Sequence, residues 1–239
     1  MTINGNFPYE VLRGHQSFRL LEIENGPAHS IISCTLKPYS LATAPSYQAL
    51  SYVWGPALTA NSKSIQCNGH NFFVTDNLYE ALHRLRAISD CRLIWIDQIC
   101  INQHDLQERS QQVSVMRDIY SQAELVNAWL GVTDSPESAR VVDMISTMAA
   151  GSWPRTMRID QPLDDEELQS LGLPPQNSPT YMALSNMLGL AYFSRVWIVQ
   201  EIAVAKSYQI LWGEITIPGH ILYRSTPGWL LAHSALKFA

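Results

Sequence analysis

The sequence predicts an α/β fold, with a parallel sheet flanked by helices, an N-terminal β-hairpin region and a helical insertion. The main observation is the order strand, helix, strand, helix, strand up to residue 131, with the α/β core beginning near residue 77. Parallel neighbours require a long connection, and the intervening helices supply it. In addition, 239 residues with 46% hydrophobic content suffice to bury such a core.

Residues 1–44 are predicted to form a β extension ahead of the main domain. Two short apolar runs, 18–23 and 31–36, flank an Asn-Gly-Pro turn. This pattern is typical of two strands joined by a short connection. We expect the pair to form an N-terminal edge of the fold.

The main domain is predicted to span residues 45–213 and to begin with β-structure. A β-rich run at 47–54 stops at a Gly-Pro pair, which cannot continue a central strand. Residues 64–67 and 71–74 flank Asn68-Gly69, a pair that readily adopts positive φ. A tight hairpin is therefore expected there.

The apolar spacing becomes helical after residue 76 and then alternates with strands. The first helix is predicted from one apolar face, behind a Thr75 or Asp76 cap: Leu78, Ala81, Leu82, Leu85 and Ile88. A strand at 92–97 follows. Asp105, with a glutamate three residues later, then marks the start of a second helix, and 124–130 has the composition of a buried strand.

Residues 133–180 are predicted to form an insertion or lid that is mostly solvated. This region contains a predicted helix at 138–150, an acidic run at 164–167 and repeated prolines. An apolar helix at 181–191 then returns the chain to the core.

The last predicted strand, residues 208–212, closes the main domain. Residues 214–239 lack a steady period, so an irregular or truncated C-terminal tail is expected.

Composition excludes several classes of function. The net charge is −5 and the sixteen basic residues are scattered, which argues against a nucleic-acid partner. The N-terminal residues show no secretory signal and no apolar run is long enough to span a membrane, so a cytoplasmic protein is expected. The four cysteines show no C-x-x-C spacing, and Cys100 with His104 supplies too few ligands for zinc; no metal site is predicted.

The most informative junction lies at the end of the predicted strand 92–97. Its apolar run ends abruptly in polar residues, among them Asp97 and, five residues later, Asn102. In open α/β sheets ligands bind at the carboxyl ends of strands, so both side chains are candidates for a ligand loop. The alternative is that they form a turn and cap the next helix through hydrogen bonds to the backbone.

Three blocks, residues 47–55, 93–103 and 193–201, together resemble the fungal heterokaryon incompatibility (HET) domain. The likeness covers residues 45–213, and several blocks in the right order are more specific than one short motif. The resemblance implies a role in fungal non-self recognition and regulated cell death, with self-association and an unidentified incompatibility partner. It further implies distant kinship with the Toll/interleukin-1 receptor (TIR) fold, a flavodoxin-like parallel sheet.

The third block contains the residue for which a catalytic role is expected. Trp197, followed four residues later by Glu201, is similar to the TIR helix that holds the catalytic glutamate of TIR-type NAD glycohydrolases. The resemblance implies that Glu201 is the catalytic carboxylate, that NAD is a substrate and that no cofactor is required. Helical spacing would place both side chains on one face. The alternative for Glu201 is a surface ion pair with Arg195 or Lys206.

Three further residues complete the expected NAD-binding set. Ser51 lies in the first block, where a small packing residue is the alternative to a ligand-binding hydroxyl. Trp54 is the tryptophan best placed to form a pocket wall, and Arg195 is suited to bind a phosphate with two hydrogen bonds. A non-catalytic signalling or self-assembly module remains the alternative to NAD hydrolysis.

Overall fold

The computed structural model describes residues 4–27, 30–59, 61–88, 93–151, 163–222 and 224–225. Its strands are β1 (Ser17–Ile23), β2 (Ser33–Ser40), β3 (Gln48–Tyr52), β4 (Lys63–Cys67), β5 (His70–Val74), β6 (Leu93–Trp95), β7 (Leu125–Gly131), β8 (Tyr208–Trp212) and β9 (Ile215–Pro218). Its α-helices are α1 (Asp76–Ile88), α2 (Asp97–Cys100), α3 (Leu106–Gln122), α4 (Ser138–Ala150), α5 (Asp165–Ser170), α6 (Pro179–Leu188) and α7 (Ile198–Ala203).

The strands form one mixed sheet in the order β5-β4-β2-β1-β6-β3-β7-β8-β9. The α/β class is confirmed, and the neighbours β6-β3-β7-β8 are parallel as predicted. The sheet as a whole is not parallel, because β1 pairs antiparallel with both β2 and β6, and β9 pairs antiparallel with β8. Numbered by chain position, the four parallel strands lie in the order 2-1-3-4.

The prediction that the first two strands form an N-terminal edge of the fold is wrong. β1 lies inside the sheet, between β2 and β6, and the β4–β5 hairpin occupies that edge instead. The physical reason is the composition of β1, which buries Phe18, Leu20 and Leu21 completely and so needs cover on both faces. Within the hairpin, Asn68 and Gly69 have φ of 49° and 76°, as the turn chemistry predicted.

The insertion is not a solvated lid. Helix α4 buries an apolar face that packs on α6 and β9: Val141, Met144, Ile145 and Met148. These positions follow the spacing i, i+3, i+4, i+7 of a helix that faces the core. The insertion therefore packs on the core through α4, although the acidic run in α5 suggested exposure to solvent. Residues 152–162 of the insertion lie outside the described part of the chain.

The ordered sheet continues past residue 213, because β9 forms where the sequence predicted an irregular tail. Residues 226–239 of that tail, like Cys91, lie outside the described residues. Three cysteines, Cys34, Cys67 and Cys100, are buried with free thiols. None of the helices in the described ranges has the length and apolar character that crossing a bilayer requires.

Candidate functional site

The candidate site lies at the carboxyl end of β3, in the middle of the parallel strands. Ser51 is completely buried and stands opposite Ala128 of β7. Its hydroxyl donates a hydrogen bond to Oε2 of Glu201 and shares a second, 2.8 Å long, with the hydroxyl of Tyr192. The chain passes from β3 to β6, which lies on one side of β3, and then from β6 to β7, which lies on its other side. The site therefore lies where the strand order reverses.

Glu201 is held in this position by a buried ion pair. It lies in α7 and is only 2% exposed. Arg195 approaches both carboxylate oxygens, with Nη2 3.0 Å from Oε1 and Nη1 3.3 Å from Oε2. The guanidinium also lies 5.9 Å from the centre of the Tyr192 ring. The ion pair with Arg195, given from the sequence as the alternative for Glu201, is present, but its carboxylate is buried rather than on the surface.

Asp97 is the centre of a second group at the end of β6. Its Oδ2 accepts a hydrogen bond of 2.8 Å from the Trp54 indole, and its Oδ1 accepts one of 2.7 Å from the backbone N–H of Gln98. Its backbone carbonyl accepts a hydrogen bond from Gln103. The pKa of Asp97 is raised to about 6, mainly by burial and also by the Glu201 charge, whereas the Trp54 hydrogen bond opposes the shift.

Two tyrosines connect these groups. The Tyr52 hydroxyl is buried without a hydrogen-bond partner among the described residues, and burial followed by the Asp97 charge raises its pKa. The Tyr120 hydroxyl donates to the carbonyl of Leu50, and its pKa is raised by burial, by Glu201 and by Asp97. Both carboxylates thus act on the Tyr120 hydroxyl, Asp97 also acts on Tyr52, and Glu201 acts on Asp97 itself, which makes the two carboxylates one electrostatic unit.

Two predicted site residues lie apart from this unit. Asn102 caps a turn: its Oδ1 accepts from the backbone N–H of His104, and its own N–H donates to Glu108. This is the structural alternative that the sequence left open. Trp197 does not cover Glu201. It is the N-cap residue of α7, next to the exposed Val196, and is itself 51% exposed.

The structure adds three residues to the site that the sequence did not single out: Tyr52, Tyr120 and Tyr192. Tyr192 lies in a short 3-10 turn, residues 191–194, where periodicity gives no signal. Its place directly before the third family block was the available clue. Tyr52 and Tyr120 have the sequence pattern of ordinary core residues, and only their hydroxyl positions distinguish them.

The raised pKa of Asp97 predicts a specific pH dependence of stability. The folded state holds this proton more tightly than the unfolded chain, whose pKa is 3.8. The contribution is therefore complete below pH 4 and is lost as the pH rises to about 6. We expect the effect of Asp97→Asn on the free energy of unfolding to be about 1–3 kcal/mol more favourable at pH 7 than at pH 4, because asparagine carries no charge at either pH and the acceptor it loses toward Trp54 or Gln98 costs the same at both. Urea unfolding at both pH values measures this, and equal effects at both would contradict it.

Comparison with known proteins identifies the family. A family model described as heterokaryon incompatibility protein (HET) matches residues 47–201, a range that ends at Glu201. Heterokaryon incompatibility protein 6, OR allele, of Neurospora crassa is 37% identical over 140 residues, covering 54% of this chain and 20% of that protein. The match thus takes in a fifth of the relative's length. No solved structure matches. Since the family model covers most of its length, the chain belongs to the heterokaryon incompatibility (HET) family.

Proposed function

We propose that this chain is a cytoplasmic effector module of heterokaryon incompatibility and that it cleaves the nicotinamide–ribose bond of NAD with Glu201. The observation that carries the proposal is the buried Glu201 carboxylate at the carboxyl end of β3, hydrogen-bonded by Ser51 and Arg195. Open α/β sheets bind ligands at the point where the strand order reverses. The name of the Neurospora relative supports the biological role.

The strand order supports a TIR-like fold. The four parallel strands lie in the order 2-1-3-4, which is the start of the flavodoxin-like order 2-1-3-4-5. In this scheme β3 is the first strand and β6 the second. Ser51 and Asp97 then lie at the ends of the first and second strands of that order.

The proposed reaction needs one ionised carboxylate. The bond between C1′ of the ribose and the nicotinamide nitrogen breaks, and its electron pair leaves with nicotinamide as a neutral base. Water adds to C1′ and loses a proton, which gives ADP-ribose. The sugar carries positive charge in the transition state, and Glu201 stabilises that charge directly or through the ribose hydroxyls.

Arg195 has a second role in this proposal. Its side chain is 21% exposed, whereas that of Glu201 is 3% exposed, so the guanidinium forms the outer side of the pair. A pyrophosphate offers the guanidinium the same two-oxygen geometry as a carboxylate. Binding of the NAD pyrophosphate would draw Arg195 away from Glu201 and open the carboxylate to the ribose.

The experiment is inducible expression in fungal cells, with NAD content and growth as the two measurements. We expect the wild-type chain to deplete NAD and arrest growth, and Glu201→Gln to do neither at an equal protein level. Glu214→Gln is the matched control, because its side chain is 91% exposed and pairs with Arg84, which is not a site residue. Growth arrest by Glu201→Gln with normal NAD would contradict the proposal.

A non-catalytic assembly module is the second candidate. Glu201 is fully paired, and two apolar side chains next to its helix are unusually exposed, Val196 by 84% and Trp197 by 51%. Exposed apolar groups of this kind favour contacts between protein surfaces. If assembly is the function, Val196→Asp abolishes growth arrest and Glu201→Gln leaves it unchanged.

A further inference from the structure

A separate cavity of about 510 Å³ lies beside Trp54, between the loop after β3 and the start of α2. This volume is within the usual range for small-molecule sites. Glu201 and Arg195 do not line it. Its walls are largely aromatic and apolar, with Tyr9, Trp54 and Phe72 among them, and no lysine, arginine, aspartate or glutamate lines it within the described residues. The cavity therefore suits an uncharged, flat ligand.

The aromatic walls are fixed in place. The Trp54 indole donates to Asp97, and the Tyr9 hydroxyl donates to the backbone carbonyl of Ile99 at 3.2 Å. Phe72 packs edge-to-face against Tyr9, with ring centres 6.4 Å apart. Trp54 is nevertheless 39% exposed, which leaves part of its indole free to stack on a ligand. Rigid aromatic walls bind flat rings with little loss of conformational entropy.

Two glutamine side chains add a donor and an acceptor to the cavity wall. Gln98 is only 5% exposed, and its Oε1 accepts from the backbone N–H of Thr75, so its Nε2 is the free end and donates to no described residue. Nε2 of Gln103 donates to the carbonyl of Asp97, which leaves its Oε1 as an unused acceptor. Both groups face the cavity without a partner among the described residues, so a ligand with one acceptor and one donor can pair with both.

We infer that this cavity binds an uncharged planar nitrogen heterocycle of the purine class that presents a donor and an acceptor on one edge. The ring stacks on Trp54, its acceptor receives the N–H of Gln98, and its donor meets Oε1 of Gln103. The amino group and N7 of adenine form such an edge, which glutamine and asparagine recognise in nucleic acids. The inference bears on the proposed function, since NAD also carries an adenine ring, but Glu201 and Arg195 do not line this cavity and adenosine can bind here whether or not Glu201 cleaves NAD.

The site is also linked to the candidate catalytic group. Three cavity residues, Trp54, Gln98 and Gln103, hydrogen-bond to the side chain or backbone of Asp97. Asp97 in turn shares its electrostatic environment with Glu201. A ligand held by these three residues therefore contacts the Asp97 loop through them.

Calorimetric titration of the purified chain with adenosine, inosine and ribose tests the inference. We expect adenosine to bind, ribose not to bind, and inosine to bind at least about tenfold more weakly, because its carbonyl faces Oε1 of Gln103. Trp54→Ala should weaken adenosine binding by at least about tenfold. Met182→Ala, a change at an exposed position on α6, is the control and should have no effect.

Gln103→Leu is the second variant, because it keeps the bond between Trp54 and Asp97. It should bring the affinities for adenosine and inosine close together. Glu201→Gln should bind adenosine as the wild type does, so failure of NAD cleavage and failure of this site give different results. No heat of binding with millimolar adenosine, or equal affinity for adenosine and inosine in the wild type, would overturn the inference.

Discussion

Arg19→Ala is expected to lower the free energy of unfolding by about 3–5 kcal/mol, the largest loss of stability that we expect from a single change. Arg19 lies in β1 and is 1% exposed. It binds both carboxylate oxygens of Glu108 in α3, at 2.7 and 2.9 Å, and the backbone carbonyls of Glu10 and Cys100. Its removal leaves the largely buried Glu108 carboxylate with the Asn102 N–H as its remaining donor and without its counter-charge, and two carbonyls lose the guanidinium.

Lys37→Ala is the control for this prediction. Lys37 also pairs with a glutamate, Glu22, but the two side chains are 54% and 45% exposed. Exposed ion pairs contribute less than about 1 kcal/mol, so little change is expected. Urea unfolding of the wild type and both variants gives the comparison. Similar losses in Arg19→Ala and Lys37→Ala would show that burial of the Arg19 pair has no special effect.

Glu201→Gln is expected to reduce the rate of nicotinamide release by at least about 100-fold, the largest effect on activity. Glutamine has nearly the same shape as glutamate but carries no charge, so it cannot stabilise a cationic sugar. Its amide oxygen can still accept from Ser51 and from one Arg195 N–H, but its NH2 group then faces the other Arg195 N–H, so some loss of stability is expected as well. The loss of chemistry is therefore measured per mole of folded protein.

Nicotinamide release per mole of folded protein measures this effect. Circular dichroism confirms that Glu201→Gln is folded, and Glu214→Gln shows the effect of the same change at an exposed position. Equal release from the wild type and Glu201→Gln would mean that another group carries the reaction. Asp97, the second carboxylate of the unit, would then be the residue to test.

Local elements of the fold could be predicted from the sequence because local chemistry determines them. The Asn68-Gly69 turn and the Asp105 cap depend on residues within a few positions of one another, and both form as expected. The position of β1 depends on pairing with β6, about seventy residues later in the chain. No local sequence pattern identifies β6 as the partner of β1. The full burial of β1 in the structure is what shows that it lies inside the sheet.

The candidate site shows the same limit. Ser51 and Glu201 are separated by 150 residues, and the family blocks placed both among the candidates without joining them. Their contact comes from the packing of α7 against the end of β3, which is a property of the whole sheet. Asn102 shows the opposite case. A polar residue after a strand can cap the following turn through local hydrogen bonds, and Asn102 does so.

Incubation of the purified wild-type chain with NAD, followed by chromatographic quantification of NAD, nicotinamide and ADP-ribose, tests the central claim most directly. We predict that nicotinamide and ADP-ribose accumulate in equal amounts as NAD disappears, over many turnovers per protein molecule. NAD that stays intact over the same period, with folded protein at concentrations that permit self-association, would contradict catalysis at Glu201 and favour the assembly module.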